Sequence, residues 1–381
     1  MRNTDIAIVV YTIVVLLSVM YATQPLQPLL SKEFAITMTQ ASYFTAVIMF
    51  FLAIAPIVYG YILEHINAKR LLMSALIILS ITSILLGFSN SFETFLFFRM
   101  VEAIIIPAIL TACMTILASQ KEHIKRNMSF YVAATVFGGL IGRLISGFIA
   151  TQLAWQYVFY SLSLALLLGL YLVSKLHFQG ETQAIKPRMN DALTILKQKE
   201  FALIYVLMFT VFFVFAGVLN ILPFYIKNQS SDISEAYIGL LYLGYGVGIV
   251  VSLFIYKIIA WFKNEFNTII FGIAVLMLSM ILFNSQAFWV LFAVVFVLCF
   301  GMFIVHTICT RLANSIKPTQ KGLTSGMYLT FYYIGGAFGS IIPTMVYENI
   351  GWSYTLFLFL SCLALIVVVL LFHQKTFKER V

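Results

Sequence analysis

The chain has 381 residues, of which 62% are hydrophobic and only 10% charged, with a mean hydropathy of +1.01. Soluble globular proteins carry about 25% charged residues, so a water-soluble fold has no means of covering this much apolar surface and is excluded. The formal net charge of +9 expresses a bias toward anionic lipid rather than a nucleic-acid surface. The four cysteines, Cys113, Cys299, Cys309 and Cys362, sit singly in apolar runs as small hydrophobes, without the spacing of a metal site or a bridge.

A membrane span needs about 20 mostly apolar residues. Taken in chain order, such runs predict twelve helices, at 5–24, 40–61, 69–88, 92–118, 128–150, 154–173, 201–226, 237–259, 267–283, 287–311, 323–347 and 351–372. The first begins MRNTDIAIVVYTIVVLLSVMYA and has no clean cleavage-site transition, so it reads as a retained helix. The longest polar stretch, 174–200, separates six spans from six. It predicts an N-terminal bundle at 1–173, a cytoplasmic linker, and a C-terminal bundle with a short tail at 201–381. With the N-terminus inside, 19 of the 23 basic residues fall in cytoplasmic segments, Lys32 and Lys227 fall outside, and Arg99 and Arg143 lie within spans. That asymmetry predicts cytoplasmic termini at both ends.

The two halves repeat one another. The segment MSFYVAATVFGGLIGRLISGFIATQLAWQYVFY, from Met128, returns 197 positions later as TSGMYLTFYYIGGAFGSIIPTMVYENIGWSYTLF. Gly138-Gly139 answers Gly335-Gly336, Gly142 answers Gly339, and Trp155 answers Trp352. Similar hydrophobic halves are what many secondary transporters are built from, and closely spaced glycines, with Gly147 extending the first stripe, allow helices to approach. Pro25 and Pro28 near the outer end of the first span, and Pro223 near that of the seventh, are expected to terminate or bend those helices.

Three motifs resemble the major facilitator superfamily, specifically its drug/proton antiporter-like exporters, and the likeness covers the whole chain. The loop after the second span, GYILEHINAKR, is similar to the family's cytoplasmic gate motif in Gly60, Glu64, Lys69 and Arg70. It has Asn67 where the family has glycine, a substitution both residues' tolerance of left-handed backbone would allow. The corresponding KIIAWFKNEF of the second half is too degenerate for a latch role. The fourth span's FFRMVEAIIIPA resembles the family's fourth-helix motif, and VFGGLIGRLISG the glycine-rich fifth helix of exporters, without its proline. YATQPLQPLL together with GGLIGR looks closest to the YnfM-like subgroup, described as arabinose or drug efflux. The resemblance implies a twelve-helix major-facilitator-type fold of two six-helix bundles in the cell membrane.

Ionised groups are expensive in lipid, which singles out Arg99, Glu102 and Arg143. A rise of about 1.5 Å per residue puts Arg99 and Arg143 at similar depth in the outer half, with Glu102 a turn below Arg99 on the same face. One arginine would neutralise Glu102 while the other offers its fork of donors to a substrate carboxylate or phosphate. The competing reading is a fixed pair holding spans 4 and 5 together. His306, in span 10, suits a proton relay or plain packing, and Asp5 suits a cytoplasm-facing acid or an interfacial cap. Tyr131, Phe212, Phe215, Tyr328 and Tyr332 offer an aromatic wall or simply pack. No P-loop, HExxH or nucleophile elbow appears, so neither an enzyme nor a cofactor is expected. The leading reading is a monomeric proton-coupled antiporter. It would export a drug-like compound, or an anionic or zwitterionic metabolite, by alternating access, with protons, lipids and the solute as partners. The alternatives are a proton-linked importer of a sugar or organic acid and a non-transporting receptor.

Overall fold

A computed structural model describes residues 3–119, 123–178, 194–230, 232–316 and 321–375. Among the described residues all regular structure is helical. Contacts divide the chain into two compact units, Met1–Lys186 with Asp232–Leu240, and Pro187–Ser231 with Leu241–Val381.

The first unit contains α1 (Asn3–Tyr21), α2 (Gln27–Glu33), α3 (Met38–His65), α4 (Ala68–Gly87), α5 (Phe92–Ala118), α6 (Ile124–Gln152) and α7 (Trp155–Ser174). The second unit holds α8 (Lys199–Gln229), and the short α9 (Glu235–Leu241) bridges the division at Leu240. A 3₁₀ turn (Tyr242–Gly246) then leads to α10 (Val247–Phe262), α11 (Glu265–Leu282), α12 (Phe288–Ser315), α13 (Lys321–Ile350) and α14 (Trp352–Phe372). Among the described residues eleven helices are long and apolar enough to cross a membrane, counting Glu235–Phe262 as one, and α3 carries a shorter apolar run, Met38–Ile54. Helices suit this solvent because lipid offers backbone N–H and C=O groups no partner.

Side chains near the ends fix several boundaries. Thr37 and Gln40 form a reciprocal capping box before α3. Ser91 accepts from Thr94 N before α5, and Asn264 from Asn267 N before α11. Asn67 departs from expectation: its φ of −58° is not left-handed, and its side chain accepts from Lys69 N to cap α4. Asparagine stands there as an N-cap rather than as a glycine surrogate. Pro28 occupies the first turn of α2, where a missing N–H costs nothing. Pro223 does not end its helix, since α8 runs on to Gln229.

The glycine repeat builds the same joint twice. A Cβ at Gly138 would lie 2.5 Å from Val14 O, and one at Gly142 2.4 Å from Ser18 Cα. In the second unit a Cβ at Gly335 would lie 2.3 Å from Phe209 O, and one at Gly339 2.2 Å from Phe213 O. Two glycines one turn apart thus admit two backbone positions one turn apart, on α1 in one unit and on α8 in the other. Hydrogen bonds lock each joint: Ser18 Oγ donates to Gly138 O at 3.1 Å, and Asn220 Nδ2 to Ser340 O at 3.2 Å. Gly336 is buried and accepts from Ser340 Oγ at 2.9 Å. The paired tryptophans diverge in company. Trp155 packs edge-on to Phe34, Phe95 and Phe159, while Trp352 stacks on Tyr225 and donates from Nε1 to Phe283 O at 2.9 Å.

Because the atoms facing Gly142 and Gly339 are backbone, neither can rotate away. Gly142→Ala and Gly339→Ala are each expected to cost about 1–3 kcal/mol by overpacking, read as a lowered thermal unfolding temperature of the detergent-purified protein. Gly169→Ala, whose added Cβ would sit 3.6 Å from Tyr11, is expected to be neutral or stabilising.

Candidate functional site

Two fully buried charges organise the first unit. Helix α1 ends at Tyr21, leaving its last carbonyls without helical partners. Arg99, on α5, supplies them: Nη1 donates to Val19 O at 3.2 Å and Nη2 to Met20 O at 2.6 Å. Nη2 also donates to Thr23 Oγ1 at 3.2 Å, and Nε to Phe44 O of α3 at 3.0 Å. The fifth N–H meets Glu102 Oε2 at 2.5 Å, and Glu102 Oε1 accepts from Ser83 Oγ of α4 at 2.8 Å. A guanidinium has five N–H donors, and all five are engaged. Arg99 and Glu102 are both 0% exposed, and a cation at a helix C-terminus also opposes the macrodipole. The pair therefore ties α1, α3, α4 and α5 together, rather than spans 4 and 5, and Arg99 keeps no donor for a substrate.

Arg143 is differently held. It lies on α6 beside the glycine joint, donating from Nε to Gln24 Oε1 at 2.6 Å and from Nη1 to Gly139 O at 2.7 Å. Its guanidinium carbon sits 3.8 Å from the centre of the Tyr21 ring, a cation–π contact. Gly139 makes this possible, since a Cβ there would press on Tyr21 at 3.2 Å and on Arg143 itself at 3.4 Å. The short α9 lies along the same helix. Gly147 faces Glu235 O, Gly239 faces Arg143 O, and Thr151 Oγ1 accepts from Ala236 N at 2.9 Å, capping α9 from outside its own sequence.

In the second unit His306 sits on α12 with Nδ1 2.8 Å from the Tyr328 hydroxyl of α13, which also accepts from Thr310 Oγ1 at 3.2 Å. Tyr332 lies 5.1 Å from the imidazole, ring centre to ring centre, and stacks on Phe212 at 3.7 Å.

The remaining charges brace the helix ends. Asp5, buried in the first turn of α1, accepts from His177 N at 3.4 Å just beyond α7. Lys69 Nζ donates to Ser174 O at 3.0 Å and Leu176 O at 2.7 Å, so this residue of the gate-like motif caps α7 within its own unit. Arg70 is exposed. Gly60 and Glu64 lie in α3, and their side-chain surroundings fall outside the described residues. The segment KIIAWFKNEF, read as degenerate, contributes Glu265, which is 5% exposed and pairs with Arg311 of α12. Sequence reasoning missed Thr23, Gln24, Ser83, Glu265 and Tyr328 as partners. Only Gln24, a polar residue at the end of an apolar run, gave a local signal.

A helical membrane protein of two compact units, with buried charges beside close-packed glycine joints, has the makings of a transporter. The sequence profile of the Major Facilitator Superfamily matches residues 9–338 and 233–380. The chain belongs to that superfamily and is a multi-pass secondary transporter, not an enzyme. It is 22% identical over 362 residues to an uncharacterized transporter of Buchnera aphidicola subsp. Schizaphis graminum, covering 92% of this chain and 86% of that one. It is 22% identical over 353 residues to the inner membrane transport protein YnfM of Escherichia coli K12, covering 88% and 82%. Its fold matches a bacterial homologue of the human lysosomal transporter Spinster, solved inward-facing and unoccupied, with a TM-score of 0.78 at 13% identity over 100% of this chain and 99% of that one.

The Arg99 cluster makes a sharp stability prediction. Glu102→Leu strands a buried guanidinium and is expected to cost about 3–5 kcal/mol. Arg99→Lys is expected to destabilise as well, because an ammonium cannot span the same acceptors. Thermal unfolding checks both, and Arg99→Met/Glu102→Leu should cost less than the sum of the corresponding single changes.

Proposed function

We propose that the protein is a proton-coupled antiporter that exports a small organic anion or zwitterion across the inner membrane by alternating access. It would work as a monomer, with both termini cytoplasmic and the bundles 1–173 and 201–381 as its moving bodies. The observation that carries this reading is an unbroken run of contacts from a buried acid to a buried base. Glu102 neutralises Arg99, Arg99 holds Val19, Met20 and Thr23 at the end of α1, and the interleaved Tyr21 and Gln24 hold Arg143.

In this mechanism Glu102 is the proton site and Arg143 the substrate anchor. A proton on Glu102 removes the counter-charge of Arg99, which slackens its grip on the end of α1 and shifts Tyr21 and Gln24. A substrate carboxylate on Arg143 competes with Gln24 for the guanidinium and draws the same turn the other way. Proton and substrate then disfavour one another through one element, which is the sign of coupling antiport requires. Export is supported by the exporter-like glycine run of α6. Asp5 and Lys69 stay outside the coupling path and brace the inner ends of α1 and α7, and the motif of Gly60, Glu64, Lys69 and Arg70 acts as a gate from that inner rim.

The test is pH-gradient-driven flux in proteoliposomes against pooled carboxylated metabolites, drugs and sugars. Wild-type flux should collapse with a protonophore. Glu102→Gln should retain solute exchange yet lose its response to the gradient. Arg143→Ala should lose at least about tenfold in flux, the worth of a charge-assisted contact, while still unfolding cooperatively on heating. Gradient-driven flux that survives intact in Glu102→Gln would overturn the assignment.

A further inference from the structure

Pro223 lies inside α8, which runs on beyond it to Gln229. Proline has no backbone N–H, so the carbonyl four residues earlier, Leu219 O, loses its helical donor. In a membrane bundle a carbonyl freed in this way has to be met from within the protein. The donor here comes from a different segment. Tyr242, the first residue of the 3₁₀ turn, gives its hydroxyl to Leu219 O at 2.9 Å. Leu219, Pro223 and Tyr242 are all buried. One side chain therefore takes the place of the backbone bond that the proline deletes.

Both partners sit where a long helix is interrupted. The run Glu235–Phe262 is long and apolar enough to count as a single span, yet its α-helical pattern gives way to 3₁₀ at Tyr242–Gly246. A 3₁₀ stretch inside a longer helix often marks a hinge, and prolines are where helices bend. The turn touches α8 a second time through Tyr245, whose ring centre lies 6.0 Å from that of Phe215. Beyond Pro223 the helix has other attachments. Tyr225 stacks on Trp352 of α14 at 4.6 Å and donates to Ser285 O at 3.1 Å, and Asn228 Nδ2 donates to the Tyr347 hydroxyl of α13 at 2.9 Å. These two contacts of the turn fall before the proline, and those of Trp352, Ser285 and Tyr347 fall after it.

We propose that Pro223 is a hinge in α8 and that Tyr242 is its catch. With the hydroxyl on Leu219 O, the two parts of α8 and the head of α10 move as one body. With it withdrawn, residues 224–229 swing at the proline and the turn is released from α8. A tyrosine hydroxyl suits a catch because it leaves its acceptor by side-chain rotation, whereas a backbone N–H leaves only if the helix unwinds. The device goes beyond the transport reading and stands on the fold alone. In alternating access it would let α8 bend at a fixed point without losing its helix.

Backbone hydrogen exchange of the full-length protein in detergent tests this, comparing the wild type with Tyr242→Phe, Pro223→Ala and the double variant. Tyr242→Phe keeps the ring and removes only the donor. It should speed exchange about tenfold across 224–229 and 242–248, the worth of one hydrogen bond, while 267–282 in α11 exchanges as in the wild type. Pro223→Ala returns an N–H to Leu219 O, so in that background Tyr242→Phe should change exchange at 224–229 by less than about twofold. A hydroxyl that only packed, or that served some other partner, would act alike in both backgrounds, and that result overturns the proposal. Unchanged exchange at 224–229 in Tyr242→Phe also overturns it, as does an equal loss of protection throughout the second unit. Either outcome is read from that variant alone. No substrate takes part, so the result is independent of the roles given to Glu102 and Arg143.

Discussion

A guanidinium buried in a membrane bundle must find five acceptors and a counter-charge inside the protein, because lipid provides none. Arg99 meets that demand with two carbonyls at the end of α1, the Thr23 hydroxyl, a carbonyl of α3 and the carboxylate of Glu102. The solution serves both sides. The last carbonyls of α1 need donors as much as Arg99 needs acceptors, so one side chain closes a helix end and pins neighbouring helices to it. The turn that follows carries Gln24, and the last helical residue is Tyr21, so the position of Arg143 depends on the same anchorage.

The two units share a joint but not a charge. Glycines at 138 and 142, and again at 335 and 339, let a second helix backbone approach to a distance that forbids a Cβ. The position that follows the second glycine is Arg143 in one unit and Ser340 in the other, and the polar residue reaching toward it is Gln24 in one and Asn220 in the other. The glycine packing is thus shared, while the residue beside the second glycine is a buried arginine in one unit and a serine in the other. Such asymmetry suits a transporter whose halves handle different parts of the work.

The architecture was largely legible because lipid imposes long apolar runs and because the repeat preserves glycine spacing. Arg99, Glu102 and Arg143 were legible as rare charges in those runs. What they touch was not. The acceptors of Arg99 are mainly backbone carbonyls 55 to 80 residues away, which every residue type carries and no pattern marks. Gln24 meets Arg143 from 119 residues away. Asn67 could be read as a substitute for glycine only because a cap and a left-handed turn favour the same residue, and its φ decides for the cap. Glu265 was passed over because a degenerate loop hides a partner, Arg311, that lies a whole helix further on.

The central claim is that the charge on Glu102 governs the order of the end of α1. Backbone hydrogen exchange across residues 18–26, compared between the wild type and Glu102→Gln in the full-length protein, tests it without knowledge of the substrate. The account predicts faster exchange in that turn when the counter-charge of Arg99 is removed, with the end of α8 in the second unit unchanged. Identical exchange at 18–26 in the two proteins would contradict it.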